Sequence, residues 1–300
     1  VFELYGVPQR NGVTFRRGGH TFSTADWRGL LQFAESTFFG GRLENNSGFW
    51  QRPAEVTPAA DSGGEPGFVL VDDPGNQPDV KYPRVGSFGA VDASFEIGRY
   101  KVSNAEYAKF LNAAASQSDP HGLYHSQMKI RRAGAQGNYR YAAFPASKQA
   151  AVTYVDWHDA LRYCNWLHGG DCERGAYDFS GSKLVGQRNP EAKYFLPSED
   201  EWYKACYYDP KARKYRLYPL RDAHREHARR IPPSKSSYGM LETADPIWEW
   251  TESPVGELFR GLRSDSWFQG NNRQAQGRFY INPDLELGNV GFRVARKVRD

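Results

Sequence analysis

Apolar residues recur every three or four positions in three stretches of the chain, and each stretch opens with the same device. Ser103, Asp156 and Ser198 are each followed three positions on by an acid: Glu106, Asp159 and Glu201. The side-chain oxygen at the first position meets an otherwise unpaired backbone N–H, and the acid favours the positive helix start. Where the first residue is serine, the acid also reaches back to the cap N–H. Helices are predicted from these three points. Their buried faces are Tyr107, Phe110 and Leu111; Ala160, Tyr163, Cys164 and Leu167; and Trp202, Ala205 and Cys206. Gly169 and Gly170 end the second helix, because glycine enters the left-handed region without a Cβ clash.

Strand patterns occupy the remainder. Residues 68–71 (Phe-Val-Leu-Val) form a short apolar run stopped by Asp72-Asp73-Pro74-Gly75, and residues 95–102 alternate as a half-buried strand does. From Ser237 onward, strands are predicted at 248–251, 258–267 and 291–298, separated by turns. The expected class is α+β, with little regular secondary structure and many loops.

Residues 1–66 read differently. Glycine pairs punctuate them, residues 53–60 form an extended Pro/Ala linker, and a single helix over 24–34 is predicted from the Thr24 cap and the spacing of Trp27, Leu30, Leu31 and Ala34. Phe33, Phe38, Phe39, Phe49 and Trp50 predict that this segment packs on the main domain or on a partner. The division is therefore an aromatic, loop-rich N-terminal extension (1–66) and a main domain (67–300).

Composition sharpens the picture. Aromatic residues reach 15% in a chain of 300 residues with only 2 Met, which fits rings packed between irregular segments and argues against disorder. The net charge of +4 is near balance, so no basic face points to nucleic acid. The densest basic run, residues 224–230, is a solvated loop or a patch for an anionic partner. No apolar run approaches the roughly 18 residues of a membrane span. The first residue is Val1, so a signal peptide or anchor upstream stays open. Cys164, Cys172 and Cys206 are too few for a disulfide framework. Cys164 and Cys206 lie on apolar helix faces as buried thiols, and a Cys164–Cys172 bridge is the alternative for Cys164.

Five blocks in order carry a family resemblance: residues 97–107 (Ile-Gly-Arg-Tyr-Lys-Val-Ser-Asn-Ala-Glu-Tyr); 152–157 with 164–167; 195–202 (Phe-Leu-Pro-Ser-Glu-Asp-Glu-Trp); Tyr238-Gly239 with Trp248-Glu249-Trp250; and 291–295 (Gly-Phe-Arg-Val-Ala). Together they resemble the formylglycine-generating-enzyme, or sulfatase-modifying-factor, family over about three quarters of the chain. The resemblance implies a C-type-lectin-like fold elaborated with loops. It also implies two catalytic cysteines between Gly261 and Arg296 in members that oxidise a sulfatase cysteine. This chain has no cysteine there, so it is expected to keep the scaffold as a pseudoenzyme and to bind no copper.

Further departures follow. Arg263-Ser264-Asp265-Ser266-Trp267 replaces the family's Arg-Gly-Gly-Ser-Trp. The next stretch forms the exposed ligand-binding face in related variable proteins of diversity-generating retroelements. By that resemblance Phe268, Gln269, Asn271, Asn272, Gln274, Phe279, Tyr280, Asp284 and Glu286 are candidate partner-binding residues; the alternative is that Phe279, Tyr280 and Ile281 fill the domain's own core. The family's calcium loop before Trp-Glu-Trp implies Ca²⁺ at Glu242, Asp245 and Glu249, unless Pro246 bends the loop away. His121/His125 and His224/His227 have spacing that suits one helix face but lack a third ligand. His20 is the only histidine in residues 1–66, against the three that the family's iron-dependent sulfoxide synthases need, and Asn45-Asn46-Ser47 matches a glycosylation sequon.

The leading expectation is a non-catalytic binding or assembly module outside the cytoplasm. It would be an accessory subunit that docks a protein partner through its C-terminal loops and its aromatic N-terminal extension, a membrane-associated complex being one such assembly. The alternatives are an oxidoreductase working through residues such as Asp265, Arg278, Tyr280 and Glu286, and a lectin-like glycan-binding protein.

Overall fold

The computed structural model describes residues 67–81, 86–181, 183–185, 187–216, 235–241, 247–264 and 278–298. The chain divides between Ser62 and Gly63, and the second unit carries everything described below. The helix at 24–34, the 53–60 linker, the sequon and the 224–230 run lie outside the described residues.

All three cap signals open helices: α1 (Asn104–Ala114), α2 (Trp157–Gly169) and α3 (Glu199–Tyr207). The reciprocal capping bond is present in each, including the aspartate-capped one, where Asp159 Oδ2 accepts from the Asp156 N–H at 3.3 Å. Such a cap contributes about 1 kcal/mol. Gly170, at φ 88°, closes α2. The predicted faces of α1 are buried, and in α2 Tyr163 packs between Tyr107, Phe110 and Phe292, with ring centroids 5.3–5.9 Å apart. The third helix is buried on nearly every side, charged residues included, because Glu199, Glu201 and Lys204 each find a partner inside.

Two four-stranded sheets flank these helices. The first has β1 (Phe68–Val71), β2 (Phe95–Gly98), β7 (Tyr194–Phe195) and β14 (Ala295–Lys297) in the order β1-β2-β14-β7, all antiparallel. The second has β10 (Trp248–Val255), β11 (Phe259–Arg263), β12 (Arg278–Ile281) and β13 (Val290–Phe292) in the order β12-β11-β10-β13; only its β10–β13 pair is parallel. Three small hairpins fill the loops: β3 (Ile130–Ala133) with β4 (Arg140–Ala143), β5 (Asp178–Ser180) with β6 (Lys183–Val185), and β8 (Tyr208–Asp209) with β9 (Lys214–Tyr215). The class is α+β, as expected.

The strand predicted at 248–251 continues to Val255, and the one predicted from 258 ends at Arg263; two others differ from expectation for one shared reason. The strand predicted over 95–102 stops at Gly98, and the one predicted over 291–298 is split into β13 and β14. Arg293 stands in the gap and donates to the carbonyls of Gly98, Arg99 and Leu241 at 3.1, 2.7 and 2.6 Å. Its guanidinium replaces the ladder where the chain steps from one sheet to the other.

Candidate functional site

Strand β12 is the edge of the second sheet, in register with β11 through Gly261↔Tyr280 and Leu262↔Phe279. Phe279 and Tyr280 are 43% and 50% exposed, which removes the core-filling alternative for both; only Ile281 packs inward. Their rings belong to a chain of four. Trp248 meets Phe279 at 5.8 Å, Phe279 meets Tyr280 at 6.3 Å, and Tyr280 meets Phe259 at 5.5 Å. Aromatic pairs at these distances prefer tilted or offset contact, as here. Phe268, Gln269, Asn271, Asn272 and Gln274 lie outside the described residues, as does Asp265.

Behind this edge two buried carboxylates are held by cations. Glu199 accepts from Arg263 Nε at 2.7 Å and from Arg278 Nε and Nη2 at 2.6 and 2.8 Å, and both guanidinium groups lie over the Phe88 ring. Arg278 is therefore committed to structure. Glu249, the acid of Trp-Glu-Trp, is buried at 1%. It accepts from Trp202 Nε1 at 2.9 Å and from Arg293 Nε at 2.8 Å, with Lys101 Nζ at 3.4 Å. Glu242 and Asp245, the other two residues of the expected calcium set, lie outside the described residues.

A third acid is less settled. Glu252 on β10 accepts from the Tyr177 hydroxyl at 2.6 Å and faces Arg188 Nε at 3.4 Å, while Arg188 also grips Glu201. Arg260 lies nearby, stacked on Trp157. Burial pushes the Glu252 carboxyl up from 4.5 to about 7, against the pull of Arg188 and Tyr177. Such a group holds or releases a proton at neutral pH, which is what general acid–base work requires.

The fourth group gathers at the start of α2. Tyr154 adopts φ 60°, rare for a bulky side chain, and stacks on His125 with centroids 4.9 Å apart. Its N–H donates to Leu287 O, and the Trp157 N–H donates to Pro283 O, both at 3.0 Å. These bonds fold the 282–287 loop onto the helix start. Asp284 and Glu286, expected beside Phe279 and Tyr280 on a docking face, are thereby turned toward α2. His158 Nδ1 lies 3.5 Å from Asp284 Oδ1 and 3.8 Å from Asp156 Oδ2. Burial, with Asp156 and Asp119 nearby, raises the Glu286 carboxyl despite His125. Burial and Asp156 likewise raise Asp159.

His121 and His125 do not share a helix face. The segment is irregular, with Gly122 at φ 72°; His121 turns to Glu173 at 3.6 Å and His125 to Tyr154. His224 and His227 lie outside the described residues. All three cysteines are free, so no Cys164–Cys172 bridge forms. Burial pushes the Cys164 thiol well up and that of Cys172 to about 11, which makes both poor nucleophiles at neutral pH.

Residues 89–298 match the family described as sulfatase-modifying factor enzyme 1-like domain. The chain belongs to this family. The "Inactive C-alpha-formylglycine-generating enzyme 2" of Mus musculus is 28% identical over 159 residues, covering 48% of each protein. The formylglycine-generating enzyme of Mus musculus is 24% identical over 271 residues (67% of this chain, 65% of the relative), and the hercynine oxygenase of Mycolicibacterium smegmatis 27% over 188 (54% and 38%). The chain spans about half the length of the inactive relatives it matches. Among solved structures, CarF superposes over 78% of this chain and 98% of its own at 17% identity with a TM-score of 0.49. Treponema denticola variable protein 1 superposes over 77% and 95%, at 17% identity and 0.45.

In this member of the sulfatase-modifying-factor family no cysteine stands between Gly261 and Arg296. Two groupings escaped the sequence reading. Asp156 is fully explained as a cap, which hid its second oxygen, and Asp284 and His158 are far apart in the chain. Glu252 and Tyr177 have no pattern that links them.

Proposed function

We propose that this protein is a non-catalytic binding module of the sulfatase-modifying-factor family that docks a protein partner through the β11–β12 edge. One observation carries the reading: four rings, Trp248, Phe279, Tyr280 and Phe259, run unbroken across an exposed sheet edge. Aromatics lose few rotamers on binding and are enriched at interface centres. The similarity to a relative named inactive and the lack of a cysteine after Cys206 support the same reading. An accessory subunit outside the cytoplasm, in a membrane-associated assembly, is the finer form of this proposal. Calcium is not part of it, because Glu249 is already matched by two cations.

The test is gentle isolation of the full-length protein from its own cells, wild type beside a Phe279→Ser/Tyr280→Ser variant. A protein retained at fixed stoichiometry by the wild type and lost by the variant is the expected result. A wild-type protein that emerges alone would overturn the reading. A second reading, an enzyme that works without cysteine, is favoured by Glu252 and its contact with Tyr177. Oxygen uptake with thiol peptides that disappears in Glu252→Gln would establish it instead.

A further inference from the structure

We infer that Asp156, His158 and Asp284 form a surface site for a divalent transition-metal ion, with Zn²⁺ as its test case. One donor atom from each residue lies within 4.8 Å of the others. Donors about 2.1 Å from a tetrahedral zinc stand roughly 3.4 Å apart, so two of the three spacings already fit. The third, between the two carboxylates, lies within 4.8 Å, and Asp284 is the exposed member while the other two are held in place.

Asp156 is anchored because its Oδ1 accepts the Asp159 N–H at 2.7 Å, which leaves Oδ2 aimed at His158. The His158 ring is set edge-on against Trp157 at 5.3 Å and Phe179 at 6.3 Å, with Nδ1 facing both carboxylates. The loop that carries Asp284 is tied to α2 by the Trp157–Pro283 bond. An imidazole nitrogen with two carboxylate oxygens suits Zn²⁺ and its neighbours rather than Ca²⁺ or Mg²⁺, which prefer all-oxygen shells. The outward side of the group leaves the remaining position to water.

A separate observation also points to a cation. Asp159 is 2% exposed, its carboxylate accepts only the Asp156 N–H, and no cation lies within ion-pair distance of it among the described residues. The positive group that acts on it, Arg162, is taken by Glu173 at 2.6 Å and lies over Phe179. Glu286 adds another negative group within range. Buried carboxylates are usually paired or bound to metal. The helix start opposes a cation with roughly half a unit charge, which the Asp156 and Asp284 carboxylates outweigh.

The test is calorimetric titration of the chelator-treated full chain with ZnCl₂ near neutral pH, repeated for His158→Ala, Asp284→Asn and the exposed control Asp92→Asn. The expected result is one equivalent bound by the wild type and the control. Affinity should fall by at least about ten-fold in each of the other two. Zinc should also raise the thermal midpoint of the wild type, and leave that of His158→Ala unchanged. No stoichiometric binding would overturn the site and leave an imidazole simply bridged to two acids. Binding unchanged in both variants would overturn it too, and would place zinc on other histidines or on a cysteine. Partner docking at Phe279 and Tyr280 is untouched by either outcome.

Discussion

Glu249 and Asp159 are equally hidden from solvent, at 1% and 2% exposure, yet their surroundings are opposite. Around Glu249 the fold supplies Arg293, Lys101 and the Trp202 N–H. Around Asp159 it supplies one backbone N–H and more carboxylates. The first arrangement fastens two sheets together through paired charges. The second lies beside a histidine and an exposed aspartate, with no cation paired to it among the described residues. Within one domain the acid of the Trp-Glu-Trp motif is tied down by cations, and the acids of the α2 capping box are not.

The contrast is broken most severely by removing Arg293. Arg293→Met leaves Glu249 with only Lys101 and the Trp202 N–H, takes the guanidinium from the Gly98 and Leu241 carbonyls, and is expected to cost about 3–5 kcal/mol in urea unfolding. A cost under about 1 kcal/mol would mean that the hub does not hold the sheets. Glu252 comes next. Its folded carboxyl binds protons more tightly than the unfolded one, so stability is greatest below pH 4.5 and falls as pH rises to about 7. The displacement is worth on the order of 3 kcal/mol, an upper figure for a partly exposed group. Glu252→Gln should flatten that pH slope in the same unfolding experiment; an unchanged slope would assign it to other groups. The smallest effects belong to the surface. His158→Ala and Asp284→Asn without metal, and Tyr280→Ser, are expected to move stability by no more than about 0.5 kcal/mol each in thermal melts. A large loss in Tyr280→Ser would return that ring to a structural role.

What could be read from the chain alone follows the range of the forces involved. The helices at Ser103, Asp156 and Ser198 were legible because a cap and its acid lie three residues apart. The ends of β2 and β13 were not, because Arg293 follows β13 directly but reaches the end of β2 from almost two hundred residues away in the chain. The pattern could not choose between core and surface for Phe279 and Tyr280, since an edge strand and a buried one share the same apolar residues. The burial of α3 was hidden as well: its acidic residues look solvated until Arg188, Arg263 and Arg278 are brought against them.

Strand β14 lies between β2 and β7, although it follows both by a long stretch of chain. On the ribosome those two strands emerge early and have no common neighbour until Ala295–Lys297 appear. The first sheet is thus a lock whose bolt is made last, and loop closure of that span slows folding. A nascent or truncated chain that ends before Ala295 exposes two unpaired edges, the form of this protein most prone to aggregate.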